Sequence, residues 1–150
     1  MGPNMPEWFL SSVGAIFAGG LVCGIYNTTS PENVTYIAKH APLNILVLED
    51  NELLQQILNG KTLHDAFPSV KKVVFMNDAS SKDGISWQDL IALGQQQPDQ
   101  LLVDAEAQQV VNGPCMLVYT SGTTGPPKGA KYFLSLTLLR DIHPQFNGFF

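Results

Sequence analysis

The sequence predicts an α/β fold in which alternating helices and strands form a mostly parallel sheet. Three observations carry that expectation. Segments with apolar residues three and four apart alternate with short apolar runs. Those runs, such as Leu43 to Leu48 (interrupted only by Asn44) and Val73-Val74-Phe75-Met76, are almost wholly apolar, the pattern of strands buried on both faces. Glycine, proline and capping residues stand between them, where such elements start and stop. Right-handed crossovers should join the strands. In open sheets of this class, ligands settle beyond the carboxyl ends of the strands.

Phe9 to Ile25 is apolar enough to raise a membrane span. Gly14, Gly19, Gly20 and Gly24 interrupt it, and the better reading is two elements. Phe9, Val13, Ile16 and Phe17 share one helical face; Gly19-Gly20 ends that helix; Leu21-Val22-Cys23 is a short buried strand. Ser30-Pro31-Glu32 is a helix start, with a hydroxyl cap, a proline in the first turn and an acid near the positive end. Val34, Ile37, Ala38 and Ala41 form its buried stripe, and Pro42 closes it. Leu43 to Leu48 follows as a strand. Asp50 or Asn51 caps a further helix that buries Leu53, Leu54, Ile57 and Leu58 and ends at Asn59-Gly60.

Lys71-Lys72 precedes the third strand, Val73 to Met76, as a solvated approach. Asn77 to Gly84 is a polar surface loop. Ser86-Trp87-Gln88-Asp89 matches a capping box with Asp in place of Glu, and Gly94 stops the helix it opens. Leu101 to Val111 reads as either a helix or an irregular crossover. Cys115 to Tyr119 is the last strand of the reading. Beyond it, Lys131 to Phe150 is rich in Phe and Leu without a clean period. Phe133, Leu136, Leu138 and Leu139 fit a short helix there.

Composition narrows the function. Net charge is −5 and the chain has no basic arm, which argues against binding nucleic acid. Charged residues are 14% of the chain, against about 25% in ordinary domains, so part of the surface is expected to be covered by other protein. Cys23 and Cys115 lie in apolar runs and read as buried free thiols. The sequons at Asn27 and Asn33 read as chance matches, and Pro6 defeats a myristoylation signal at Gly2. His40 and His64 sit near helix ends and His143 near the end of the chain, so all three read as ordinary surface residues.

The chemistry gathers where the last strand stops, at Thr120-Ser121-Gly122-Thr123-Thr124-Gly125-Pro126-Pro127-Lys128-Gly129. Gly122 and Gly125 permit a sharp turn and close approach of backbone to ligand. Such a turn aims successive N–H groups at an anion. Thr120, Ser121, Thr123 and Thr124 add hydroxyls, and Lys128 adds a positive charge suited to phosphate. Pro126 and Pro127 stiffen the approach to Lys128. The expected ligand is a polyphosphate, held by Thr120, Ser121, Gly122, Thr123, Thr124, Gly125 and Lys128. The P-loop pattern does not fit, because Gly125 comes too early and Gly129 stands where a magnesium-binding hydroxyl belongs.

This run resembles the phosphate-binding signature of the adenylate-forming (AMP-binding) enzymes, the acyl-CoA synthetase superfamily. Pro6-Glu7-Trp8-Phe9, Ala18-Gly19-Gly20, Gly24-Ile25-Tyr26 and Ser30-Pro31-Glu32 further resemble the bubblegum-type long-chain acyl-CoA synthetases. The likeness runs from about Asn4 to Gly129. It departs at Lys131-Tyr132-Phe133-Leu134, where the family begins a helix with a Ser-His pair.

The resemblance implies part of the family's large N-terminal domain over residues 1–130, followed by a poorly ordered non-family tail over 131–150. It implies a ligase that joins ATP, a long-chain fatty acid and coenzyme A into acyl-CoA, releasing AMP and pyrophosphate. Magnesium would accompany ATP, with its protein ligand missing from this chain. The expected setting is cytoplasmic, with peripheral attachment to the endoplasmic reticulum or other membranes. The chain alone is expected to be a truncated, inactive form. Two alternatives stand beside this reading: a non-catalytic interaction or weak nucleotide-binding isoform, and a membrane-anchored protein built on Phe9 to Ile25.

Overall fold

The structure, a computed structural model, describes residues 1–78, 82–110, 112–120 and 125–134. Helix α1 (Pro6–Phe17) opens on a proline at its first turn, and Gly19 follows it with φ +75°, a value that suits glycine. Strand β1 (Val22–Gly24) comes next, then α2 (Pro31–His40), whose Ser30 side chain accepts from the Asn33 N–H at 3.4 Å. After β2 (Ile45–Leu48), Asp50 caps α3 (Asn51–Leu58) by accepting from the Leu53 N–H at 2.8 Å. Asn59 ends that helix in the left-handed region.

Three short elements were not anticipated from the sequence. One is α4 (Leu63–Ala66), capped by Thr62; another is β4 (Ile85–Ser86), which follows β3 (Lys72–Phe75). The third is β6 (Lys128–Phe133), which pairs antiparallel with β5 (Pro114–Thr120). Phe133 therefore lies in a strand rather than a helix, while the expected helical positions Leu136, Leu138 and Leu139 fall outside the described residues.

The Ser86–Asp89 capping box forms with both of its bonds and opens α5 (Trp87–Gln95), which runs one residue past Gly94. The ambiguous stretch near Leu101 is a helix, α6 (Gln100–Ala107).

The α/β class and the mostly parallel pairing hold, but the strands divide between two sheets. One has the order β1-β5-β6 and the other β2-β3-β4. Every pair except β5–β6 is parallel. Local pattern marks a run as a strand without naming its partner, so the division was not legible. The core lies with the second sheet: Val34 and Ala38 of α2, Leu46 and Leu48 of β2, Leu54, Ile57 and Leu58 of α3, and Val73 and Phe75 of β3. Ala66 and Phe67 complete it from the end of α4.

The first sheet is more open. The expected inward face of α1 is only partly covered: Val13 and Ile16 are half-buried, Phe9 is 60% and Phe17 50% exposed, and no residue of α1, α5 or α6 is fully buried. The Gln109 side chain ties α6 to α1 by donating to the carbonyls of Ile16 (2.9 Å) and Phe17 (2.8 Å). These carbonyls belong to the last turn of α1, beyond the reach of intrahelical i→i+4 donors, and the Ile16 carbonyl also accepts from the Gly19 N–H at 2.9 Å. No helix among the described residues is long and apolar enough to cross a membrane.

Candidate functional site

The hydroxyl–glycine run lies in sequence between β5 and β6, and its described residues are Thr120 and 125–129. Parallel pairing with β1 through Val22↔Met116, Cys23↔Leu117 and Gly24↔Val118 fixes β5 in the sheet. At the far end of β5, Thr120 faces Lys128 across the antiparallel ladder, and Tyr119 faces Gly129. Facing partners in such a ladder have Cα atoms about 4.5–5.5 Å apart. The connecting turn thus begins and ends on paired backbone.

Thr120 and Lys128 are both exposed. Gly125 is also exposed and has φ +117°, a conformation side chains resist, so a glycine is required there. Pro127 is buried at the foot of β6 while Pro126 faces solvent. Of the seven site residues expected from the sequence, Thr120, Gly125 and Lys128 lie together on this hairpin. Ser121, Gly122, Thr123 and Thr124 lie outside the described residues.

Beneath the hairpin sits a feature that the sequence reading missed. The Tyr119 hydroxyl and His40 Nδ1 are 2.6 Å apart, joining residues 79 positions apart in the chain. Tyr119 is 6% exposed. Burial raises its phenol above the ordinary value of 10, with the Cys23 thiol and Tyr36 phenol acting the same way. The phenol therefore keeps its proton, and the tautomer of the imidazole sets which of the two groups donates. Tyr36 stacks on His40, with centroids 5.8 Å apart and planes 12° from parallel. One signal was available beforehand: Tyr36 and His40 are four apart on α2 and so share a face.

Neither cysteine is in a disulfide, as expected; Cys115 is buried, whereas Cys23 is only half-buried. Burial pushes the Cys23 thiol up to about 11, with the nearby N-terminal ammonium opposing it weakly. Among the described residues, no three His, Cys, Asp or Glu side chains gather to hold a metal.

Parallel strands with flanking helices, delivering a lysine-bearing hairpin, place the fold among the adenylate-forming enzymes. It is similar to the anthranilate CoA ligase AuaEII in complex with anthranoyl-AMP, with TM-score 0.74 and 25% identity over 89% of this chain and 24% of that one. The luciferase-like enzyme of the mealworm Zophobas morio shares the fold at TM-score 0.71 and 14% identity, covering 99% of this chain and 33% of that one.

The chain belongs to the AMP-binding enzyme family, whose profile matches residues 1–133. Among curated relatives, the long-chain-fatty-acid–CoA ligase ACSBG1 of Rattus norvegicus is 42% identical over 132 residues, which is 86% of this chain and 18% of that protein. ACSBG2 of Homo sapiens is 40% identical over 131 residues, 86% of this chain and 19% of that protein. The chain therefore spans about a fifth of the length of these relatives.

Proposed function

We propose that this chain carries the triphosphate-gripping element of a long-chain fatty acid–CoA ligase. The observation that supports it best is the register Thr120↔Lys128, which sets a hydroxyl and an ammonium side by side at the rim of a turn containing Gly125. In this reading Thr120 to Gly125 direct hydroxyls and N–H groups at the phosphates of ATP that leave as pyrophosphate. Lys128 offsets the negative charge that builds on them. A carboxylate is a poor electrophile, and transfer of AMP to it, with loss of pyrophosphate, supplies the leaving group that the thiol of coenzyme A later displaces. The work of these residues is positional: holding the triphosphate so that its α-phosphorus faces the acid.

Equilibrium dialysis of ATP against the purified chain tests the grip. Lys128→Ala is expected to weaken binding about tenfold, the loss of one charge-assisted contact. Unchanged affinity in that variant would remove the loop assignment. The 150 residues span a small part of the relatives' length and are expected to bind ATP without turning it over. Steady release of pyrophosphate from ATP and palmitate by this chain would refute that expectation.

The exposed apolar residues at the start of α1 support a second role, as a surface that packs on further protein or on a lipid surface. Trp8, Phe9 and Leu10 stand 40%, 60% and 52% exposed there. Flotation with phosphatidylcholine vesicles and light scattering of the free chain separate the two partners. A monomer that ignores vesicles would exclude self-association and lipid docking together.

A further inference from the structure

We propose that His40 is a positioning residue for the hairpin, acting through Tyr119 to hold the root of the candidate phosphate turn. The inference rests on the phosphate reading above and adds to it a residue from another part of the fold. His40 closes α2, the helix that packs Val34 and Ala38 into the core beside β2 and β3. Tyr119 belongs to β5, in the other sheet. Their 2.6 Å contact joins the well-buried half of the molecule to the strand that delivers the turn.

Three contacts make this a latch rather than a passing touch. The imidazole meets two aromatic rings, stacked on Tyr36 and edge-on to Tyr119 at 85°. Tyr119 immediately precedes Thr120, so any displacement of its ring is felt at the first residue of the site. The ring also fills the space beside Gly129 on β6, where a Cβ would come within 3.0 Å of Tyr119 Cζ. One phenol thus touches both strands at the base of the turn, and His40 holds that phenol in place. His40 is itself exposed and contributes nothing to the apolar core, so its contacts with Tyr119 and Tyr36 are what its loss would remove.

The test uses the full chain and four variants: His40→Ala, His40→Asn, Tyr119→Phe and the double variant His40→Ala/Tyr119→Phe. ATP affinity is measured by equilibrium dialysis, and the imidazole nitrogens of His40 are followed by NMR. His40→Ala and Tyr119→Phe are each expected to weaken ATP binding about two- to tenfold, the range one net hydrogen bond can supply. The double variant should be no worse than either single one, since both remove the same bond. His40→Asn should restore affinity to within about twofold, because its side-chain oxygen can accept from the phenol near the place of Nδ1. Tyr119→Phe should shift the Nδ1 resonance in the otherwise folded chain.

Additive losses, failure of Asn to rescue, or an unmoved Nδ1 resonance would overturn the latch. If Lys128→Ala weakens ATP binding while His40→Ala does not, the latch falls and the phosphate reading stands. If the unaltered chain binds no ATP, or Lys128→Ala binds as tightly, the phosphate reading falls and takes the latch's role with it.

Discussion

Gly129→Ala should loosen the hairpin root without straining the backbone. The glycine does not occupy the left-handed region, so a side chain there meets no conformational penalty. The obstacle is steric. A Cβ would lie 3.0 Å from Tyr119 Cζ, 3.2 Å from Cε1 and 3.3 Å from the hydroxyl oxygen. Carbon atoms rest comfortably about 3.5–4.0 Å apart, so the ring must retreat by roughly half an ångström. It has little freedom to do so, being 6% exposed and bonded to His40.

Overpacking of this kind costs about 1–3 kcal/mol, and the reduced entropy of the unfolded chain returns about 0.4–1 kcal/mol. A net loss of about 1–2 kcal/mol lowers the melting temperature of a domain this size by about 2–8 °C. Calorimetry measures the shift, and the His40 imidazole resonance reports whether the bond has lengthened. A variant with unchanged melting temperature and an unmoved resonance would show that Tyr119 is not confined as described. Gly125→Ala is the useful contrast: among the described residues nothing lies within 4 Å of its Cβ position, yet its φ of +117° makes any side chain costly.

Two further predictions concern titratable groups. Cys23 should resist iodoacetamide at pH 8 in the folded chain, because burial holds its thiol at about 11, and should react freely in urea; rapid labelling under native conditions would contradict this. Asp65 has its carboxyl held below the ordinary 3.8, first by the hydrogen bond from the Thr62 hydroxyl at 2.6 Å, then by the Thr62 backbone and the His64 and Lys39 charges. A depressed folded value means that the cap stabilises α4 above the ordinary carboxylate range and is lost as pH falls through the folded value. Carboxyl NMR should therefore show Asp65 titrating below its ordinary value, and Thr62→Val should return it most of the way; an ordinary titration in the unaltered chain would refute the bond.

What the sequence disclosed was chiefly what neighbours in sequence decide. Ser30, Asp50 and Ser86 each cap within three residues, so their helices were legible from spacing alone. The buried stripe of α3 followed in the same way from Leu54, Ile57 and Leu58. Pairing was hidden because it is not local: β1 finds its partner in β5 across nearly the whole described chain. Strand β6 escaped because Lys128-Gly129-Ala130-Lys131 shows no apolar alternation, and its ladder with β5 supplies the order that its side chains do not announce.

The exposed face of α1 shows the limit of periodicity, which finds a stripe but not what covers it. At the site, the residue types and the strand leading to them were readable. The contact between His40 and Tyr119 was not, since nothing in either segment points to the other.

Lys128 stands on a strand, opposite Thr120, and not on the free crest of the turn. Its anchor point is as immobile as the ladder, and only its own four methylenes can swing. On the proposed reading the nucleotide has to travel to the cation. Tolerance for phosphates of different spacing is then capped by the length of one side chain, and sheet geometry becomes the ruler against which an incoming anion is measured.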